Sequence, residues 1–206
     1  GQNVKADILV DATENSTTTT LIGTKSTSKI PYNPLNETTF YNNNLYRTSV
    51  VAGTKNNEDI SVAPLGAFVS ANVENLISVP NSESASIPST FASGQAAGAT
   101  AAYCAFFGTT TKNINIRVIQ GELLAYRTWL IPFADVNTMD SNFMAIQHIA
   151  TTGILKSKSQ NDKLYFHPDS SFFLQELRLP LKEYYSRSQI WFAEKQDAKF
   201  TLDDAI

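Results

Sequence analysis

This chain has little of what catalytic and metal sites are usually built from. Its 206 residues include a single cysteine, Cys104, and two histidines, His148 and His167, in unrelated sequence contexts. One cysteine excludes a disulfide within the chain, and two histidines without clustered cysteines or carboxylates give no metal-ligand spacing. No serine lies in the glycine-flanked pattern of a nucleophile elbow. The sequence therefore assigns no catalytic residue and no metal ligand.

Charged residues and long apolar runs are also scarce. Asp, Glu, Lys and Arg make up 17% of the residues and the net charge is −3, so no basic stripe that would bind nucleic acid is expected. No run approaches the roughly 18 uninterrupted apolar residues of a membrane span. The hydrophobic content of 42% is enough for the core of one medium domain or two small ones. These features predict a globular protein without a transmembrane segment.

Predicted strands and helices alternate along the first part of the chain. Four strands are predicted over residues 5–10, 46–52, 60–69 and 74–79, and two helices over residues 89–107 and 115–127. Ser89 or Thr90 is expected to cap the first of these helices, just after Pro88. Residues 17–20 are four threonines, which predict an extended or loose segment because β-branched side chains disfavour a helix interior.

The first predicted helix has almost no side-chain bulk in its first three turns, where glycine and alanine dominate residues 94–102. Such a helix lets a backbone, a sheet or a flat ligand approach closely, and the free N–H groups at its N terminus suit a pyrophosphate. Two interpretations stay open, namely close packing without a ligand and cofactor binding. Under either one, Gly98→Leu is expected to destabilise the fold by overpacking.

Residues 75–77 and 93–102 resemble the C-terminal cofactor motif of FAD-dependent oxidoreductases, most closely secreted bacterial members of the xanthan lyase type. Residues 45–53, 63–69 and 116–124 are similar to other segments of that family, in the same order. The resemblance implies a partial Rossmann-type sheet and a helix whose N terminus faces the flavin, which would supply hydride-transfer chemistry. The cofactor-binding residues it implies are Asn75, Ser93, Gly94, Gln95, Ala96, Ala97 and Gly98.

The nucleotide-binding loop of that family is not found in this sequence. Residues 6–10 resemble the opening strand, but no glycine follows before Gly23, whereas a Rossmann loop needs three closely spaced glycines. Asp11 and Glu14 would also repel a pyrophosphate. In an alternative alignment, residues 10–14 match a later strand of the family and the nucleotide-binding half is absent. In both alignments we expect a truncated or degenerate relative that does not retain FAD.

The character of the sequence changes near residue 131, which divides the chain into an oxidoreductase-like domain, 1–130, and a C-terminal region, 131–206. The C-terminal pattern, from Phe133 through Gly153 to Glu176, resembles one S-layer-homology unit. Members of that family bind cell-wall polymer through a Thr-Arg-Ala-Glu tetrad, of which only Glu176 is present here. The resemblance therefore implies the helical fold, and we expect no affinity for wall polymer.

A helical hairpin is predicted within this C-terminal region. Asp135 or Ser141 is expected to begin the first helix, Gly153 to end it in a left-handed conformation, and Asp169 or Ser170 to cap the second. The apolar residues expected to be shielded from solvent are Phe143, Ile146, Ile149, Phe173, Leu174 and Leu177.

Two functions from different classes stay open. The first is a degenerate FAD-dependent oxidoreductase, and the second is a non-catalytic surface module that binds a glycan or a protein. Aromatic residues at 184, 185, 191 and 192 would either stack on sugars or close the core. The start at Gly1 and the secreted habit of the resembled family lead us to expect a secreted, periplasmic or cell-surface protein.

Overall fold

Helices and short strands alternate in the part of the chain that the computed structural model describes, residues 5–13, 17–22, 37–55, 59–79, 86–195, 198–201 and 204. In chain order the elements are β1 (Leu9–Asp11), α1 (Thr17–Leu21), α2 (Glu37–Asn42), α3 (Leu45–Thr48), β2 (Ser49–Lys55), β3 (Asp59–Pro64), β4 (Leu76–Ser78), α4 (Ile87–Phe107), α5 (Ile116–Ala125), α6 (Phe143–Thr152), β5 (Lys158–Gln160), β6 (Lys163–Tyr165), α7 (Leu174–Tyr184) and α8 (Ser188–Glu194). The predicted mixed α/β class is confirmed.

The strands form three separate two-stranded ladders. β1 and β4 run parallel, with Leu9 opposite Leu76, while β2 pairs with β3 and β5 with β6 in antiparallel hairpins. The parallel ladder is three residues long on each strand. A Rossmann-type sheet requires further parallel strands beside such a pair, so that part of the predicted fold stays a prediction.

One hydrophobic cluster is built from residues on both sides of position 130. Phe40, Val50 and Ile119 lie in it together with Phe143 and Phe166, and all five side chains are buried. The predicted segments 1–130 and 131–206 therefore share a core in the described part of the chain. No helix among the described residues is both long and apolar enough to cross a membrane.

The predicted small-residue helix is present as α4, and it packs on β2 through one of its two small faces. The buried face consists of Ser89, Ser93, Ala96, Ala97, Thr100 and Cys104. Gly94 and Gly98 lie on the exposed face, where an added Cβ would meet no atom within 4 Å. The expectation that Gly98→Leu would overpack the fold is therefore wrong.

The glycine that this close approach requires lies in the strand. A Cβ on Gly53 of β2 would stand 2.8 Å from Oγ and 3.0 Å from Cβ of Ser89. We expect Gly53→Ala to lower the free energy of unfolding by about 1–3 kcal/mol, because the strand and α4 must separate. Urea denaturation measures the loss. In a Ser89→Gly background the same change should cost clearly less, and equal costs in both backgrounds would contradict the contact.

The threonines predicted as extended form helix α1 instead. The Asp11 carboxylate accepts hydrogen bonds from the N–H and the hydroxyl of Thr19, at 2.8 and 2.7 Å, and the Thr13 hydroxyl accepts one from the N–H of Thr17 at 2.7 Å. These bonds satisfy N–H groups that the first turn of a helix leaves without partners. They outweigh the weak helix propensity of threonine.

Gly153 ends α6 in the left-handed conformation, with φ 74°, as predicted. The other ends differ from the predictions by a few residues. Asn142 precedes α6, and α4 begins at Ile87, with the hydroxyl of Ser86 accepting a hydrogen bond from the N–H of Ser89 at 3.4 Å. At the start of α4 a local side-chain hydrogen bond decides which of several neighbouring polar residues caps the helix, and spacing alone does not distinguish them.

The two predicted C-terminal helices, α6 and α7, pack mainly on other elements. Helix α6 lies in the main cluster against α3 and α5, whereas α7 packs on α8 around a second cluster of Leu174, Leu177 and Phe192. Phe173, expected to be shielded, is exposed. Position 173 instead precedes α7, where the Glu176 carboxylate accepts a hydrogen bond from the Phe173 N–H at 3.0 Å. Asp169 and Ser170 do not cap this helix.

Candidate functional site

Asn75, the first residue of the predicted cofactor set, joins β1, β4 and the turn Thr111–Asn113. Its side-chain oxygen accepts a hydrogen bond from the Thr111 N–H at 3.1 Å, and its own N–H donates to the Thr111 hydroxyl at 2.9 Å. Its carbonyl accepts from the Leu9 N–H at 2.9 Å. Asn75 holds a left-handed backbone, φ 64°, which asparagine tolerates better than most residues. Its backbone N–H, its carbonyl and its side-chain oxygen thus serve the fold.

The six other predicted cofactor residues lie in the second and third turns of α4, where each N–H bonds to the preceding turn. Those buried towards β2 are Ser93, Ala96 and Ala97, and those exposed are Gly94, Gln95 and Gly98. The first turn of this helix is residues 87–90, in which Pro88 has no N–H and the N–H groups of Ser89 and Thr90 donate to the hydroxyl and the carbonyl of Ser86. Gly94 and Gln95 line a shallow depression together with Thr90 and Phe91. The structure therefore divides these six residues between two faces of α4.

A carboxylate of the chain itself lies at the N terminus of the helix that follows β1. Asp11 is buried and accepts four hydrogen bonds, from the N–H and hydroxyl groups of Thr13 and Thr19, at 2.6–3.1 Å. Burial raises the pKa of this carboxyl, but the hydrogen bonds outweigh it and lower the pKa from 3.8 to about 2. The Asp11 carboxylate thus supplies the negative charge that stabilises the N terminus of α1.

A cavity of about 670 Å³ lies beside α7. Residues 152–158 and 166–172 form its other walls, and the buried side chains of Tyr46, Phe166 and Leu177 form an apolar floor. Ligand-binding pockets have volumes of about 300–1,000 Å³ and join apolar walls to a few placed polar groups. This cavity is the candidate functional site.

An ion pair links α7 to the main body at the rim of the cavity. The Arg47 guanidinium lies 2.5 Å from the Glu183 carboxylate, and its carbon lies 5.3 and 5.6 Å from the ring centroids of Tyr46 and Tyr184. The Tyr184 hydroxyl donates a hydrogen bond to the Thr152 carbonyl at 2.6 Å. These contacts hold the Tyr184 ring at the cavity in one orientation.

The opposite wall is held by a partly buried tyrosine, Tyr41. The Tyr41 hydroxyl accepts a hydrogen bond from the Ser157 N–H at 2.6 Å, and burial raises the pKa of this phenol. The Lys156 ammonium lies 5.4 Å from the Tyr41 ring centroid, within the range of a cation–π contact. Asp135 accepts the N–H groups of Phe166 and His167, at 2.9 and 2.7 Å. The cavity is therefore formed by segments that internal contacts fix in place.

Charges around the cavity are balanced. Lys156 and Lys158 face Glu37 and Glu176 in its lining, and Arg47 is neutralised by Glu183. Glu176, the remaining member of the S-layer-homology tetrad, also holds the N–H of Phe173 at the start of α7. The site thus offers hydrogen-bond donors and acceptors without an excess of either sign.

The metal-ligating and nucleophilic side chains of the described residues are dispersed or buried. No three side chains of His, Cys, Asp or Glu come together there in a way that would hold a metal ion. Cys104 is buried, and burial raises the pKa of its thiol, which lowers the thiolate fraction. His148 and His167 lie on different elements, on α6 and after β6.

No protein-family model, curated protein or solved structure matches this chain.

Tyr184 and Glu176, which line the cavity, were recognised in the sequence as candidate binding residues. Arg47, Lys156 and Tyr46 also line it, but no sequence pattern marked them as part of a binding site. Arg47 and its partner Glu183 are separated by 136 positions, and no local pattern links them. Gly153 also lines the cavity. Because it marks the turn beside which the cavity opens, it is a residue of the predicted pattern from which the site could have been located.

Proposed function

We propose that this chain is a non-catalytic binding module whose cavity beside α7 holds a neutral glycan. One observation carries the proposal, namely a space of about 670 Å³ with aromatic side chains and charges that cancel. The ligand would lie between the Tyr184 ring and the loop that carries Lys156. An oligosaccharide of a few units is of the size that such a space accepts.

The aromatic part of the site suits the faces of sugar rings. Tyr184 is 40% exposed, so a face or edge of its ring is open to a ligand, while its hydroxyl is held by Thr152. A ring fixed in this way loses little conformational entropy on binding. Apolar C–H faces of a sugar can pack on the ring while the hydroxyl groups of the sugar reach the polar rim.

The polar part of the site favours an uncharged ligand. Ser170, Ser171 and Gln175 supply donors and acceptors, and the lysines are balanced by Glu37 and Glu176. A polyanion would meet both carboxylates, and a polycation would meet both ammonium groups.

Titration with neutral oligosaccharides tests this function. We expect saturable binding of cello-oligosaccharides or chito-oligosaccharides by calorimetry, and no binding of oligogalacturonate, which is anionic. Tyr184→Ala should weaken binding about tenfold or more, because truncating a central aromatic contact typically costs over 1 kcal/mol. Tyr185→Ala is the matched control, since Tyr185 is exposed but does not line the cavity. Equal effects of both changes, or no binding of any neutral saccharide, would refute the proposal.

The sequence resemblance supports a second proposal, that the chain derives from exported FAD-dependent oxidoreductases and has lost the flavin site. β4 leads to α4 beside the parallel strand β1, which is the order of elements in a βαβ-type fold. The buried Asp11 carboxylate supports the loss of the flavin site. It places a negative charge after β1 and accepts the N–H of Thr19, whereas a bound phosphate would need N–H groups that are free.

Adding FAD to the purified chain tests the second proposal. A ligand at about 100 times its dissociation constant raises the free energy of unfolding by about 2.7 kcal/mol. We expect a colourless protein whose melting temperature does not change with FAD. A yellow preparation, or a rise of several degrees at micromolar FAD, would show a working flavin site and contradict both proposals.

A further inference from the structure

Helices α7 and α8 bury apolar side chains in a core of their own. Leu174 and Leu177 of α7 and Phe192 of α8 are buried together in the second cluster, which is separate from the main one. The Arg178 guanidinium also donates a hydrogen bond from α7 to the Phe192 carbonyl of α8, at 2.8 Å. Elements that bury their own apolar side chains in this way can move together as one body.

A short backbone pairing closes this group of elements. The Leu174 N–H donates a hydrogen bond to the Ala198 carbonyl at 2.9 Å, and the Phe200 N–H donates one to the Phe172 carbonyl at 2.8 Å. These bonds tie the chain before α7 to the chain after α8. We call residues 172–200, as far as the structure describes them, the C-terminal unit.

Side-chain contacts join the C-terminal unit to the main body. The Arg47–Glu183 ion pair is exposed, since the two side chains keep 37% and 61% of their accessible surface. The Tyr184 hydroxyl bonds to a carbonyl of the main body, and Ile154 and Leu155 of the main body are partly buried against the second cluster. Exposed ion pairs and single hydrogen bonds contribute little to stability. We therefore expect separation of the unit from the main body to cost less free energy than unfolding of either core.

The chain between β6 and the C-terminal unit has the features of a hinge. Residues 168–171 are all exposed. Before them, the Asp135 carboxylate fixes the N–H groups of Phe166 and His167, and after them the backbone pairing begins at Phe172. A hinge consists of a few loop residues that change their backbone angles between two segments that are held in place.

We propose that the C-terminal unit is a flap, which swings on residues 168–171 and opens the cavity to its ligand. The walls of the cavity belong to both parts, because Leu177 and Tyr184 lie on the flap and Lys156 lies on the main body. A swing separates these walls while both cores stay folded. A ligand that touches both walls holds the flap closed and is then shielded from water. The movement does not depend on the identity of the ligand, so it stands or falls apart from the glycan-binding function.

Thiol labelling of the chain without any ligand tests the flap. In a Cys104→Ala background, Leu177→Cys places a thiol in the cavity floor and Leu123→Cys places one in the main cluster, at positions that are 3% and 1% exposed. The thiol at position 177 should react with a water-soluble disulfide reagent at least about ten times faster, because position 123 is reached only by global unfolding. Equal rates at the two positions would overturn the proposal.

Two glutamates of the flap provide a matched pair of variants. Glu183→Gln should raise the labelling rate at position 177 by about 1.5- to 5-fold, which is the range that an exposed ion pair supports. Glu194→Gln is the control, because Glu194 is exposed at the end of α8, and it should leave the rate unchanged. If the two variants have the same effect, the Arg47–Glu183 pair does not hold a flap closed and the proposal is wrong.

The dependence on urea separates a swing from unfolding of the C-terminal unit. A swing exposes little new surface, so labelling at position 177 should change little at low urea concentrations, whereas unfolding of α7 and α8 would make the rate rise steeply. A steep rise would overturn the hinged movement. If Leu177→Cys does not fold, Ser157→Cys replaces it with the same expected results, because Ser157 is 1% exposed and lines the cavity from the opposite wall.

Discussion

Gly153→Ala is expected to lower the free energy of unfolding by roughly 2–5 kcal/mol, from two costs that arise at one Cβ atom. The first is the left-handed backbone at the end of α6, φ 74°, which any residue with a Cβ adopts at a cost of about 1–2 kcal/mol. The second is steric, because the new Cβ would lie 2.9 Å from Cζ and 3.1 Å from Cδ2 of the buried Tyr46 ring. Urea denaturation followed by circular dichroism measures the loss.

Gly108→Ala separates the two costs. Gly108 ends α4 with φ 57°, and an added Cβ there meets nothing within 4 Å. The backbone cost alone then applies, and we expect a loss of about 1–2 kcal/mol. If both variants lose the same free energy of unfolding, the Tyr46 ring adds no steric cost at position 153. Since Gly153 and Tyr46 both line the cavity, Gly153→Ala should also weaken ligand binding in any fraction that remains folded.

Gly153 also shows which parts of this fold the sequence can predict. A glycine after an apolar stripe predicts a left-handed helix end, and this prediction needs no information about residues far away in the sequence. Helices α4 and α5 were predicted within two residues at each end for the same reason, since their signals are local. The cavity depends instead on Arg47 reaching Glu183 across 136 positions. Contacts at that separation leave no trace in spacing or composition.

The faces of α4 show a second limit. Small residues lie all around the helix, so composition predicts close approach but not its direction. The structure turns Ala96 and Ala97 towards β2 and leaves Gly94 and Gly98 exposed. The position where a side chain would clash is Gly53, in the strand, which has no unusual sequence context. The six implied cofactor residues on α4 therefore fall on two faces of the helix, while Asn75 lies just before β4.

The threonine run shows how one side chain can override local propensity. Threonine disfavours a helix interior by a few tenths of a kcal/mol per residue. A carboxylate that accepts N–H bonds at the first turn contributes more than that. Asp11 is eight positions before Thr19, beyond the usual spacing of a capping residue, and for that reason α1 was not predicted.

Asp11→Asn is expected to lower the free energy of unfolding by about 2 kcal/mol at neutral pH. The native pKa of about 2 lies below the ordinary value of 3.8, and each pKa unit corresponds to about 1.4 kcal/mol. Asparagine keeps the shape but loses the charge that strengthens these bonds, and its NH2 group cannot accept the pair of bonds that one carboxylate oxygen receives from Thr13 or from Thr19. Asp7→Asn is the matched control, because Asp7 is exposed just before the same strand and should change little.

The effect of Asp11→Asn should depend on pH with a defined sign. Because the pKa of Asp11 is lower in the native state than in the unfolded state, its contribution is complete above about pH 4 and is lost as the pH falls towards 2. The difference between the unaltered chain and the variant should therefore shrink over that interval. Urea unfolding at several pH values measures it. A difference that stays constant down to pH 2 would mean that charge does not hold α1 on β1 and that the shape of the Asp11 hydrogen bonds alone is responsible.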